Sequence, residues 1–133
     1  MKNQLAYPLR LGVIFGIGLL VLGISGKTWA HVFPDHSAPP VGSIQNTAPK
    51  MVQVWFDGYI EPAFSTIEVY DKNDQRVDKQ DGHVNELDPT LLEVGLTKLS
   101  FGVYRVVWIA VSVDGHRTEG DFRFTVAEPK KSP

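Results

Sequence analysis

The sequence predicts an all-β sandwich of about seven short strands. Three observations carry that prediction. Beyond the first thirty residues no window shows an apolar stripe with a 3.6-residue period, several stretches alternate apolar and polar side chains with a period of two, and turn-forming residues recur every ten residues or so. Helices need the first pattern, and half-buried strands produce the second.

Residues 1–30 differ in kind from the rest. They contain Lys2, Arg10 and Lys27, no acid, and an apolar run from Leu11 to Ile24. A basic start, a short apolar stretch and the small residues of Thr28-Trp29-Ala30 together make a secretory signal layout, with cleavage expected after Ala30. The run is shorter than the roughly 20 residues that cross a bilayer comfortably. The rival reading is an uncleaved anchor extending from Pro8 to Trp29, which would need tilt or thinning to span.

The segment His31 to Pro49 is rich in proline (Pro34, Pro39, Pro40, Pro49) and is expected to run extended along a sheet edge. Met51 to Asp57 puts Val52, Val54 and Phe56 on one face and Gln53, Trp55 and Asp57 on the other, a half-buried strand. Phe64 to Asp71 repeats the pattern through Ile67 and Val69, and Asp71-Lys72-Asn73-Asp74 supplies the turn into a hairpin with Arg76 and Val77. Asp78 to Pro89 reads as a polar loop, and Leu91 to Leu96 as a strand. Gly102 to Val113 and Asp121 to Val126 are expected to pair, the latter with Phe122, Phe124 and Val126 turned inward. Trp108 and Tyr104 read as core or near-core residues. The tail, 127–133, has no apolar anchor and is expected to be flexible. The expected division is therefore a signal peptide over 1–30, a sandwich over 31–126 and the tail.

Charge and composition narrow the function. Of 13 basic side chains, Lys2, Arg10 and Lys27 fall within the expected signal, which leaves ten against 15 acids and a net charge of about −5 for the exported part. Such a balance disfavours nucleic acid as a partner. There is no cysteine, so thiolate zinc sites, thiol nucleophiles and disulfides are all excluded, and packing alone must hold the fold. Only Met1 and Met51 are present, so a thioether site for copper(I) cannot be assembled. A metal site on this chain must use nitrogen and oxygen.

Two features could provide one. Cleavage after Ala30 would leave His31 as the first residue, whose free α-amine and Nδ1 can close a chelate ring on one ion. An α-amine with an ordinary pKa near ~8 and an imidazole near ~6.5 are both readily deprotonated by a strongly bound divalent metal. The second feature is Asp114-Gly115-His116, at the junction of two expected strands, where residues i and i+2 of an extended chain project to the same side. Three nitrogens and one oxygen suit copper(II), which also heads the divalent affinity series. Each feature has a plainer reading: an accident of the cleavage position, and a solvated acid beside a surface histidine. Their coincidence in one chain favours the metal site, with His31, Asp114 and His116 as ligands. His36 and His83 are read as surface residues, and Asp57 as a candidate hydrogen-bond acceptor behind the site.

These residues also carry a resemblance. The opening His31-x5-Ser37-x-Pro39-x-x-Gly42-Ser43, the block Phe56-Asp57-Gly58-Tyr59-Ile60-Glu61-Pro62-Ala63-Phe64-Ser65-x-Ile67-x-Val69, and the run Gly102-x-Tyr104-x-Val106-x-Trp108 with Ser112-x-Asp114-Gly115-His116 and Gly120-x-Phe122-x-Phe124-x-Val126 are similar to the CopC family of periplasmic copper-resistance proteins. The resemblance spans nearly all of residues 31–126. It implies an immunoglobulin-like Greek-key β-sandwich, periplasmic, without enzymatic turnover, holding Cu(II) through His31, Asp114 and His116. It also implies an inner-membrane copper transporter of the CopD type as partner. The chain departs from the family where many members carry a glutamate near the site and this one has Gly58, which would leave the fourth position to water or to Glu61. Two other functions remain open on sequence: a histidine-brace copper monooxygenase, and a metal-free adhesive module.

Overall fold

The structure, a computed structural model, describes residues 31–130. The expected signal peptide and the last three residues lie outside the described part. Among the described residues no helix is long and apolar enough to cross a membrane.

Eight strands build two four-stranded sheets. They are β1 (Pro34–Ala38), β2 (Ile44–Gln45), β3 (Met51–Phe56), β4 (Thr66–Tyr70), β5 (His83–Val84), β6 (Leu91–Gly95), β7 (Gly102–Val111) and β8 (Arg117–Val126). One sheet has the order β1-β3-β6-β5 and the other β2-β8-β7-β4, so chain neighbours are repeatedly split between layers as a Greek key requires. All pairings are antiparallel except that of β2 with β8.

The alternation read from the sequence is the alternation of burial. Val52, Val54 and Phe56 face Ile67, Val69, Tyr104, Val106, Trp108, Phe122, Phe124 and Val126 across the sandwich, all buried. Intervening residues such as Asp121 and Arg123 stay exposed. Phe56 meets Trp108 edge-on at 5.2 Å, and Tyr104 stacks offset on Phe124 at 5.5 Å, arrangements that suit the aromatic quadrupole. Without disulfides this core carries the stability. Ile67 is 2% exposed, and trimming it by one methylene (Ile67→Val) is expected to cost about 1 kcal/mol, measured by denaturant unfolding.

Two departures from the sequence reading have physical causes. The last strand begins at Arg117 rather than Asp121, because Arg117-Thr118-Glu119-Gly120 shows no alternation of its own and is held extended by its ladder with β7, from Val111↔Arg117 to Trp108↔Gly120. Within the stretch read as loop, His83 and Val84 add an edge strand to β6. There the carboxylate of Glu93, itself buried, accepts bonds from Gln53 Nε2 (3.0 Å) and Asn85 Nδ2 (2.9 Å) and lies 3.3 Å from His83 Nε2, a set of polar partners that no periodicity announces. The hairpin expected after β4 forms through the bridge Tyr70↔Arg76, with Val77 N–H donating to Val69 O at 2.8 Å. At the far end, Ala127 N–H donates to Gln45 O at 2.8 Å, which ties the chain down as it leaves β8.

Candidate metal centre

The β7–β8 hairpin ends in the tight turn 112–116. Ser112 N–H donates to His116 O (2.8 Å), and Gly115 N–H returns to Ser112 O (2.8 Å). Gly115 sits at φ +89°, in the region where glycine alone is unstrained. Asp114 and His116 therefore meet through a turn, and not by the same-side projection of an extended strand that the sequence suggested. The result is a contact: His116 Nδ1 lies 3.0 Å from Asp114 Oδ1. His116 is partly exposed and Asp114 more so.

Ser112 organises this turn. It is 3% exposed, its hydroxyl makes a short hydrogen bond to Asp114 Oδ1, and its Oγ accepts from His116 N–H at 3.1 Å. The Ser112 hydroxyl first, and His116 after it, lower the Asp114 carboxyl to about 2. At neutral pH Asp114 is thus a full anion that protons do not contest. Nothing in the spacing Asp-x-His singled out Ser112, although it stands two residues before Asp114.

His31 arrives from the opposite end of the chain. Its ring centroid lies 5.2 Å from that of His116, with the planes tilted by 57°, and 6.2 Å from Phe33. Three backbone hydrogen bonds secure the residues that follow it. Thr118 Oγ1 donates to Val32 O (2.7 Å), Phe33 N–H donates to Asp57 Oδ1 (2.8 Å), and Asp57 N–H donates to Phe33 O (3.0 Å). Asp57, expected as an acceptor behind the site, acts as one toward the backbone that carries His31.

The three expected ligands are therefore brought to one end of the sandwich, in two contacts: ring to ring for His31 and His116, ion pair for His116 and Asp114. They do not already converge on a point, since among the described residues no group of three or more histidine, aspartate or glutamate side chains is arranged to hold an ion. The donor set nonetheless fits a copper-type ion. Imidazole nitrogen and carboxylate oxygen are donors that such an ion accepts, and His116 Nδ1 and Asp114 Oδ1 stand 3.0 Å apart.

The other histidines are engaged elsewhere. His36 stacks on Trp55 with centroids 4.5 Å apart and planes within 9°, its Nδ1 2.8 Å from Asp35. His83 lies with Glu93 and Asp81 O on the β5 edge. Gly58, where the family's glutamate was expected, packs directly against Val32: a Cβ there would stand 2.9 Å from Val32 Cγ1. Glu61 is held by its backbone, its N–H donating to Val111 O at 2.7 Å.

Comparison with known proteins agrees with this architecture. The CopC domain pattern matches residues 35–127, a stretch that includes Asp114 and His116 and begins four residues after His31. The chain is 35% identical over 112 residues to the copper transport protein CutJ of Bacillus subtilis, covering 83% of this chain but only 21% of CutJ, so it spans about a fifth of that relative. It is 31% identical over 104 residues to protein YobA of Escherichia coli K12, covering 77% of this chain and 84% of YobA. Among solved structures, CopC from Methylosinus trichosporium OB3b superposes with a TM-score of 0.66 at 30% identity, covering 77% of this chain and 99% of that one. PcoC, a methionine-rich copper resistance protein from Escherichia coli, gives 0.64 at 30% identity, covering 74% and 100%. With the sandwich, the Asp-x-His turn and the domain match in agreement, the chain belongs to the CopC family.

Proposed function

We propose that this protein is exported, cleaved after Ala30, and binds one copper(II) ion through the α-amine and imidazole of His31 with Asp114 and His116, sequestering or delivering the ion without turnover. The observation that carries this reading is the meeting of His31 and His116 at 5.2 Å, with the ionised Asp114 at 3.0 Å from His116. Nitrogen and oxygen donors without sulfur favour copper(II) over copper(I), in contrast to the methionine-rich PcoC. The names of its relatives, copper transport for CutJ and copper resistance for PcoC, support the cargo and the role. That the similar region of CutJ is a fifth of a longer copper transport protein supports a membrane transporter, of the CopD type, as the partner that exchanges the ion. The exchange then takes place after export, in the periplasm, the compartment that the family resemblance implies.

The test is a copper(II) titration followed by EPR on protein whose first residue is verified as His31. One tightly bound ion with a tetragonal, nitrogen-rich spectrum supports the reading. His116→Ala should weaken binding by about 100-fold, the upper end of what even an outer-shell change costs, because a direct ligand is removed. If native protein binds no copper(II), or His116→Ala binds as well as native, the assignment fails.

A further inference from the structure

We infer that Gly58 is a positioning residue for His31: it is the socket that receives Val32, and through Val32 it sets where the terminal ligand stands. The inference rests on the proposed copper site and concerns how that site is placed. Val32 is 4% exposed, although it follows directly on an exposed residue and precedes another, Phe33 at 55%. A single buried side chain in an otherwise exposed segment is an anchor, and its cavity is formed at Gly58, where a Cβ would come within 2.9 Å of Val32 Cγ1. Valine is branched at Cβ and stiff at χ1, so it cannot swing away from such a contact as a long side chain would.

The hydrogen bonds of Val32 O to Thr118 and of Phe33 to Asp57 fix the same two residues along the backbone. Side-chain socket and backbone clamp together leave His31 little freedom beyond its own torsions, and they bring it beside the 112–116 turn through Thr118 of β8, which is 86 positions from Val32 in sequence. Thus the position where a glutamate would offer an oxygen to the ion contributes here by shape. A Cβ at Gly58 and Val32 in its present seat would overlap, so one of them must shift.

The test uses the processed chain beginning at His31, with and without copper(II). In the metal-free protein, Gly58→Ala should speed exchange of the Phe33 amide at least tenfold and remove the NMR cross-peaks between the His31 and His116 rings. Copper(II) affinity should fall about 10-fold, as for other changes that disturb ligand orientation, with an altered EPR spectrum. The rescue variant Gly58→Ala/Val32→Ala, in which the smaller side chain makes room for the new methyl, should recover the slow amide, the cross-peaks and most of the affinity. Thr118→Val, which removes one clamp without adding bulk, should loosen the Phe33 amide in the same sense. A Gly58→Ala protein that keeps the native amide rate and cross-peaks, or a double variant no better than the single one, overturns the inference. If the metal-free readouts behave as expected while no version binds copper(II), the positioning stands and the proposed function falls.

Discussion

Acetylating the α-amine of His31 is expected to weaken copper(II) binding by about 100- to 1,000-fold, more than any single side-chain replacement at the site. An acetylated nitrogen is an amide: it has lost the lone pair that a free amine, with its ordinary pKa near ~8, offers to a metal at neutral pH. The chelate ring on His31 opens, and the imidazole is left as a single donor. The loss should exceed the 10- to 100-fold typical of residues that only orient ligands. Blocking the amine is a cleaner test than adding a residue, because a Gly-His extension would bring its own amine to the ion. Competition titration against a chelator of known affinity gives the number, and EPR reports the lost nitrogen. Equal affinities for free and acetylated protein would remove His31 from the ligand set.

Asp78→Ala is expected to destabilise the fold by about 1–3 kcal/mol, the cost of leaving a buried donor without its acceptor. The Asp78 side chain is fully inaccessible and receives Arg76 Nε at 2.9 Å, Val69 N–H at 2.8 Å and Gln80 N–H at 2.8 Å. Val69 lies in β4 of one sheet, whereas Asp78 bridges to Leu96 just beyond β6 of the other. Its carboxylate thus staples the two layers where the chain crosses between them. Replacement would leave two amides and a guanidinium without their acceptor. Chemical denaturation of the variant beside the native protein measures the cost, and a difference under 1 kcal/mol would show that the network is replaceable by water.

The same group sets a pH dependence. Burial alone would raise the Asp78 carboxyl, but the bonds from Arg76, Val69 and Gln80 outweigh it and hold the group below its ordinary value. With the folded pKa depressed, the unfolded chain binds the proton more readily, so stability rises with pH through this region. The contribution is complete above the unfolded aspartate value near ~4 and is lost as pH falls through the folded one. Unfolding free energies measured between pH 6 and pH 2 should therefore fall steeply at the acid end in native protein, and less steeply in Asp78→Ala.

Much of the sandwich was legible because burial on a sheet leaves a period-two trace. Val52-Val54-Phe56 and Phe122-Phe124-Val126 alternate in the sequence and in the structure alike. Segments held by a neighbour's ladder or by polar side chains leave no such trace, which is why His83 and Val84 read as loop and the first four residues of β8 went unmarked. Asp78 looked like the first polar residue of a loop. Its role depends on Val69 and Leu96, which lie beside it only after folding.

For the site, composition and local chemistry limited the donors available: no cysteine, two methionines of which Met1 falls in the expected signal, a histidine after an expected cleavage point and an Asp-x-His element leave nitrogen and oxygen. These are properties of residue type, and residue type is what a sequence states outright. The folded structure decided that His31 meets His116, that Ser112 lowers the Asp114 carboxyl, and that Gly58 seats Val32. The first and the last depend on contacts between residues far apart along the chain, which exist only once the two sheets have closed on their common core, and the second on the close of the β7–β8 turn.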